Sequence, residues 1–437
     1  MRRSRSIPGL LFDLATGPAA PALVKVGLVA GFTLIAAGVH GLVTRRGGHR
    51  DEARACDGRA MARRSLAQLQ LASRGSGLAL MPTLASNGDG YGLAWVDGRA
   101  GRVDVYFERL GREGQRVGTE VAVTRGPGQH LLPHLAFTGS EYGVAWTDVS
   151  EEGDELHVGF ARLGADGARR GDPVRLSRGD ALQFGASPAW DGSAYGVVWS
   201  AVTDRSSITL RFTRVVPGQA PAAEQVIERD ALPVGLPAIA WDGREFGVSY
   251  AHYAYRRERA EARLLRVSRE GRALGTLALG ETEGLGGVFA ITPAADGLAT
   301  TWATVTEEGT STLWFARTRG ATVDQPAKQV RRDGVIAAAP SIAWSGTLAG
   351  VTWTGQEGGR FVTSFARVSR EGTMIGAPVI VNPSGYGLES SLVWNGHEFA
   401  VAWTWLEGRA RSIRLTRFDA EGRRVGGDVE VAAASAQ

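Results

Sequence analysis

The chain holds one cysteine, Cys56, among 437 residues, so no intrachain disulfide can form and cysteine content says little about redox compartment. Lysine is almost absent: only Lys25 and Lys328 accompany the arginines, a bias read as genomic before it is read as functional. The formal net charge of +4 does not describe a basic folded body, because residues 1–65 alone carry ten Arg and one Lys against four acids. The remainder of the chain is therefore weakly acidic. A nucleic-acid binder carries its basic stripe on the folded domain, so nucleic acid is excluded as an expected partner. No nucleophile elbow and no phosphate-cradling glycine loop is found. Ala53, Arg54 and Ala55 precede Cys56, which argues against a lipid-modified cysteine following an apolar core.

Long apolar runs are equally scarce, with one exception. Residues 26–43 read VGLVAGFTLIAAGVHGLV, interrupted only by Thr33 and His40. That length approaches the roughly 20 residues of a membrane helix. An uncleaved anchor is favoured and a cleaved signal segment is the alternative, since the run starts late and is long for a signal core. Residues 1–25 form a basic tail and residues 44–65 a charged linker. Arg2, Arg3, Arg5 and Lys25 before the run nearly balance Arg45, Arg46, Arg50 and Arg54 after it, so the positive-inside rule leaves orientation open. A single N-terminal apolar segment before a large soluble domain favours a domain outside the cytoplasm, periplasmic or on the cell surface, and secreted if the segment is cleaved.

What is abundant is a repeat. Trp95, Trp146, Trp199, Tyr250, Trp302, Trp353 and Trp403 recur at gaps of 51, 53, 51, 52, 51 and 50 residues. A constant period of this size marks units that cannot each bury their own apolar face and must stack to do so. Within the second unit, PHLAFTG (133–139), EYGVAWTD (141–148), HVGFARL (157–163) and PVRL (173–176) read as four strands separated by Gly and Asp turns. The fourth and seventh units repeat this plan. Sixty glycines and twelve tryptophans suit such a turn-rich all-β chain. The expected fold is all-β: a seven-bladed β-propeller with four-stranded antiparallel blades over residues 66–437, preceded by the N-terminal apolar segment. Small residues beside the Trp, such as Gly143, Ala145, Gly247 and Ala402, should let bulky side chains of the next blade pack close. The fifth unit is least regular, its first turn being TPAADG (292–297). Residues 66–75, LAQLQLASRG, look like a further fourth strand; either they compete with the C-terminal GDVEV for the last blade or that blade gains a fifth strand.

The Trp-Asp-Gly turns at 190–192 and 241–243, with the Asp-Gly or Glu-Gly turns at 166–167, 270–271, 371–372 and 421–422, resemble the repeats of bacterial envelope propellers, above all the periplasmic propeller of the Tol system. The likeness covers the layout of all seven units without a strict motif: the Pro-Asp-Gly turn of those repeats is absent, and integrin-type calcium loops and sialidase Asp-boxes are not matched. It implies an interaction module at the cell envelope and carries over no catalytic residue.

An arginine recurs on the third strand of every unit: Arg109, Arg162, Arg214, Arg266, Arg317, Arg367 and Arg417. A residue present in every blade is expected to serve each blade, by pairing with a turn carboxylate such as Glu141, Glu245 or Glu398, rather than to form an anion-binding ring. The first-to-second and third-to-fourth turns are short and alike, whereas the second-to-third and blade-to-blade connections vary and share one face. Variable loops on a rigid scaffold are where binding sits. That face is expected to carry Asp97, Arg99, His130, His134, Asp148, Glu151, Arg257, Arg331 and Arg332, with His252, Tyr253, Tyr255, Arg256, Tyr386, Trp405 and Arg409 as the candidate ligand- or partner-binding group. Tyr253, Tyr255, Tyr386 and Trp405 are read as loop aromatics outside the repeat. His130 and His134 are four apart, but Pro133 between them opposes a helix, and no metal, cofactor or catalytic residue is assigned. Two readings remain: a non-catalytic, membrane-anchored envelope propeller binding a protein, and a propeller that binds or cleaves polysaccharide.

Overall fold

The computed structural model describes most of residues 79–433. The N-terminal segment 1–78 lies outside the described residues, as do short stretches of several connections and the last four residues. The anchor at 26–43, the linker and the strand-like 66–75 therefore fall outside it. Among the described residues no helix is long and apolar enough to cross a membrane.

Seven four-stranded antiparallel sheets follow one another along the chain. Blade 1 is β1 (Ala79–Ser86), β2 (Gly90–Asp97), β3 (Asp104–Gly111) and β4 (Arg116–Ala122). Blade 2 is β5 (Gln129–Phe137), β6 (Glu141–Val149), β7 (Leu156–Gly164) and β8 (Val174–Arg175). Blade 3 is β9 (Leu182–Trp190), β10 (Tyr195–Asp204), β11 (Ser207–Val215) and β12 (Gln225–Glu228). Blade 4 is β13 (Ala238–Trp241), β14 (Phe246–Ala254), β15 (Arg259–Val267) and β16 (Ala273–Thr282). Blade 5 is β17 (Leu285–Ala294), β18 (Gly297–Val305), β19 (Ser311–Arg319) and β20 (Thr322–Asp333). Blade 6 is β21 (Ala338–Trp344), β22 (Ala349–Glu357), β23 (Arg360–Val368) and β24 (Met374–Ile380). Blade 7 is β25 (Tyr386–Trp394), β26 (Glu398–Glu407), β27 (Ala410–Asp419) and β28 (Val429–Ala433). Each sheet is a simple meander, and the irregular fifth unit forms a complete blade around its Ala295-Asp296 turn.

The first strand of every blade packs against the first strands of both neighbours, β1 against β25 included. These seven strands therefore surround an axis, and the ring is closed. The outer position of blade 7 is filled by β28, which pairs with β27, so the C-terminal segment takes the slot for which residues 66–72 were a competitor. Blade 1 meets blade 7 through packing and a few cross-blade hydrogen bonds, such as Leu84 N to Ser391 Oγ (2.9 Å) and Asn395 Nδ2 to the Tyr91 hydroxyl (2.8 Å).

The core lies between blades. Trp95, Leu93 and Tyr91 of blade 1 share one cluster with Ala400, Ala402 and Leu415 of blade 7, and the other blade pairs do the same. All seven ladder aromatics, Tyr250 included, are buried. Glycine at the start of the second strand makes room for the neighbour. A Cβ on Gly143 would sit 2.5 Å from the Tyr195 ring of the next blade, and one on Gly350 would sit 2.6 Å from Phe399. The aromatic residues then bury large apolar surfaces against flat backbone. This fits the packing role expected of the small residues beside each Trp.

Candidate functional site

The two ends of the strands are built differently. At one end the hairpins follow one pattern in most blades, blade 5 departing with two-residue turns at 295–296 and 320–321. Thr138 N donates to Glu141 O, Asp242 N to Glu245 O and Asn395 N to Glu398 O, while between third and fourth strands Gly167 N donates to Gly164 O and Gly271 N to Ser268 O. Gly271 stands at φ +90°, a left-handed conformation that its Glu-Gly turn needs and that other residues rarely adopt.

The repeated arginines lie at this constant end. Arg162 forms a two-point pair with Glu141 (2.9 and 3.0 Å), Arg214 pairs with Asp191 (3.0 Å), and Arg417 with Glu398 (3.1 Å). Arg266 pairs with Glu245 (2.5 Å), and Arg317 bridges Asp296 (2.7 Å) and Asp324 (2.9 Å). Arg109 and Arg367 instead donate to turn carbonyls of the next blade, Ala165 (3.5 Å) and Ala420 (3.4 Å). The same carboxylates also reach across blades: the Tyr195 hydroxyl donates to Glu141 at 3.2 Å. These guanidinium groups are engaged within the ring, five of them by carboxylates.

The opposite end carries the connections that differ. β2 and β3 are joined by residues 98–103, β6 and β7 by 150–155, β10 and β11 by 205–206, and β22 and β23 by 358–359. Among the described residues of this face, a polar cluster spans blades 1 and 2. Arg99 lies 2.6 Å from Asp97 and 2.8 Å from Glu120 and stacks 4.4 Å over Tyr106. Next to it, Asp104 accepts from Arg102 (2.8 Å) and from the Thr124 hydroxyl (3.1 Å). His130 crosses the blade boundary, with Nδ1 2.6 Å from Asp148 Oδ1 and Nε2 3.5 Å from Asp104 Oδ1. Trp146 Nε1 donates to the same Asp148 oxygen at 2.5 Å. This cluster fixes loop ends by charge and hydrogen bonding. Among the described residues no group of three or more His, Cys, Asp or Glu is arranged to hold a metal ion.

The candidate aromatics are placed differently from the expectation. Tyr253 falls on β14, Tyr386 opens β25, and Trp405 lies on β26, paired with Gly387. They are strand residues because these hairpins run past the ladder Trp. The Trp405 ring lies 3.8 Å beneath the Arg414 guanidinium, a cation–π contact rather than a bare loop aromatic. His252 is half-buried on β14, and burial together with the nearby Arg263 cation pulls its pKa below the ordinary value. Tyr255, Arg256 and Arg409 lie outside the described residues, as does Arg257. His134 does not belong to the loop face. It follows the Leu132-Pro133 irregularity within β5, and burial lowers its pKa.

The sequence reading missed a second ring. The innermost strands break register at matching positions: Leu80/Thr83, Leu131/His134, Phe184/Ser187, Ala338/Ser341 and Leu388/Ser390. Each break is a β-bulge, and its first residue has positive φ: Met81 (+55°), Leu132 (+52°), Gly185 (+70°), Ala339 (+45°) and Glu389 (+33°). Four of these non-glycine residues occupy a region that L side chains rarely adopt. Met81, Leu132, Phe184, Leu236 and Val288, from five successive blades, share one apolar cluster, which only a ring around an axis permits. Glu389 brings a carboxylate to this level. Its Oε2 accepts the Met81 backbone N–H at 2.9 Å across the seam between blades 7 and 1, and burial pushes its pKa up to about 7. The missed signal was the recurrence of proline at 82, 133, 237 and 340, one repeat apart or two.

No protein-family model and no curated protein matches the chain. Solved structures do, at low identity. Prolyl oligopeptidase B from Galerina marginata is 10% identical with a TM-score of 0.48, covering 85% of this chain and 53% of its own. The Pyrococcus horikoshii acylaminoacyl peptidase gives 10% and 0.48, covering 81% and 53%. The parainfluenza virus 5 hemagglutinin-neuraminidase ectodomain gives 11% and 0.43, covering 71% and 82%. The chain thus spans about half the length of the peptidases. At this level of likeness no activity is transferred, and the class of the protein, a seven-bladed β-propeller, stands on its own sheet topology.

Proposed function

We propose that the chain is a non-catalytic propeller of the bacterial cell envelope, held at the membrane by residues 26–43, which binds another protein through its variable-loop face. The observation that carries this reading is the asymmetry between the two ends of the blades. One end repeats one turn pattern in most blades and holds its repeated arginine within the ring in every blade, so it serves the ring. The other differs from blade to blade, and differences on a rigid frame are the raw material of specificity. The Tol-like layout of the repeats agrees with an envelope interaction module.

The polysaccharide reading draws less support. Hydrolysis of a glycosidic bond takes a pair of carboxyl groups set about 5 to 10 Å apart. The described bulge positions around the axis supply Met81, Leu132, Gly185, Ala339 and a single acid, Glu389.

A pulldown from native envelope extract tests the proposal. The bait is compared with a variant in which Tyr253, Tyr255, Arg256 and Trp405 are changed to Ala, and with Arg244→Ala on the constant face. A protein recovered by the wild type and by Arg244→Ala, but lost from the fourfold variant, is the expected result. Recovery of glycan, or equal recovery by all three baits, refutes the assignment.

A further inference from the structure

Strand direction decides where the propeller's two ends emerge. Ala79, the first residue of β1, pairs with Asp97, the last residue of β2, beside the β2–β3 connection. Ala433, the last residue of β28, pairs with Ser412 at the start of β27, beside the β26–β27 connection. Both ends thus stand on the variable-loop face, at the seam between blades 7 and 1. With four strands per blade and up-and-down order, every first strand must start on that face and every fourth strand must end there.

We propose that the variable-loop face is the membrane-directed face, and that its partner is a protein seated in the same membrane. This rests on the anchor at residues 26–43 proposed above. Residues 44–78 join that segment to Ala79. By length alone that stretch spans no more than about 120 Å when fully extended. The opposite face lies about 30 Å farther off, the height of a nine-residue strand. To present that face to the bilayer, the linker would have to run around the rim of the ring. A tether of this length also holds the variable loops at high effective concentration near anything projecting from the same bilayer, which favours a partner there over a soluble one.

Charge decides between protein and lipid as the occupant. A face that reads anionic headgroups carries a cluster of about four to eight cations. Here the cations are interleaved with acids: Arg99 is matched by Asp97 and Glu120, Arg102 by Asp104, Arg414 lies over Trp405 with Glu430 at 3.9 Å, and the exposed Arg125, Arg178 and Arg229 share the face with the exposed Glu151, Glu357 and Glu407. Mixed signs and a stacked aromatic suit a protein surface.

The test uses the full chain in liposomes, in a Cys56→Ser background, with a donor dye attached through Glu151→Cys on the variable face or Arg244→Cys on the constant face. Both positions are exposed. Energy transfer to an acceptor lipid should be stronger from position 151; equal transfer, or stronger transfer from 244, overturns the orientation. A chain that fails to float with the liposomes removes the anchor itself, and the orientation falls with it, a failure distinct from floating with the wrong face inward. Collisional quenching of the dye at 151 by a spin-labelled headgroup, which needs contact where energy transfer does not, would mean that the face lies on the bilayer, and would overturn the protein partner. In native membranes, a photo-crosslinker at 151 but not at 244 should yield an adduct that resists alkaline carbonate extraction. An adduct released by carbonate, or no adduct, overturns the same-membrane partner.

Discussion

Replacing Glu389 with Gln should stabilise the protein at pH 8 and leave its stability unchanged at pH 4. Burial raises this carboxyl from an ordinary 4.5 to about 7. Below pH 4.5 both the native and the unfolded chain hold the proton, and the group contributes nothing to the balance. Between 4.5 and 7 the unfolded chain releases its proton while the native chain keeps it, so stability falls as pH rises; above 7 the full cost of an ionised carboxylate near the axis is present. At about 1.4 kcal/mol per pH unit that cost would be about 3 kcal/mol. Glu389 retains some accessible surface, so about 2 kcal/mol is the working figure. Gln stays neutral throughout, and its carbonyl can still accept the Met81 N–H that Glu389 Oε2 now accepts. Urea unfolding of wild type and variant from pH 4 to pH 8 isolates the effect, because every other titrating group cancels in the difference. The gain should grow through the window from 4.5 to 7 and then level off. A difference that is flat with pH, or a variant that is less stable at pH 8, would refute the assignment of a proton held at the blade 7–blade 1 seam.

Three further substitutions probe the frame. Trp353→Ala empties a fully buried inter-blade site and should cost about 3 to 5 kcal/mol, read as a lower urea midpoint. Gly143→Ala drives a methyl group into the Tyr195 ring of the next blade and should cost about 1 to 3 kcal/mol; paired with Tyr195→Leu, the combined loss should be smaller than the sum of the two. Ala339→Gly relieves a side chain held at φ +45° and should raise stability by up to about 1 kcal/mol, where glycine elsewhere in a strand weakens it; a loss of stability would show that the bulge carries no strain.

The parts of this fold that were legible in the sequence are those in which one residue type answers one physical demand in every blade. A buried inter-blade site takes Trp or Tyr, so the 51-residue period stands out, and a left-handed turn takes glycine, so Gly271 and its equivalents mark the hairpins. The bulge ring is different: its demand is for a backbone shape that several residues meet, and Met81, Leu132, Gly185, Ala339 and Glu389 share no side-chain chemistry. Proline misled the reading as well. A proline removes a ladder donor and so reads as the first residue of a strand. β5 was therefore taken to begin at Pro133, whereas it begins at Gln129 and passes the proline through the bulge, where no ladder bond is needed. A similar limit displaced Tyr253, Tyr386 and Trp405 into loops. Alternation stops being informative where both sides of a strand are partly covered, yet β14 and β26 continue pairing past the ladder aromatic as far as Ala254 and Glu407. The strand extensions lie on the variable-loop side of the ladder, where the blades stop resembling one another, whereas the bulges sit opposite the ladder aromatic itself. A repeat advertises what each copy needs for the ring; the residues that distinguish the copies, and on the reading proposed here recognise a partner, are by the same reasoning the ones that periodicity cannot reveal.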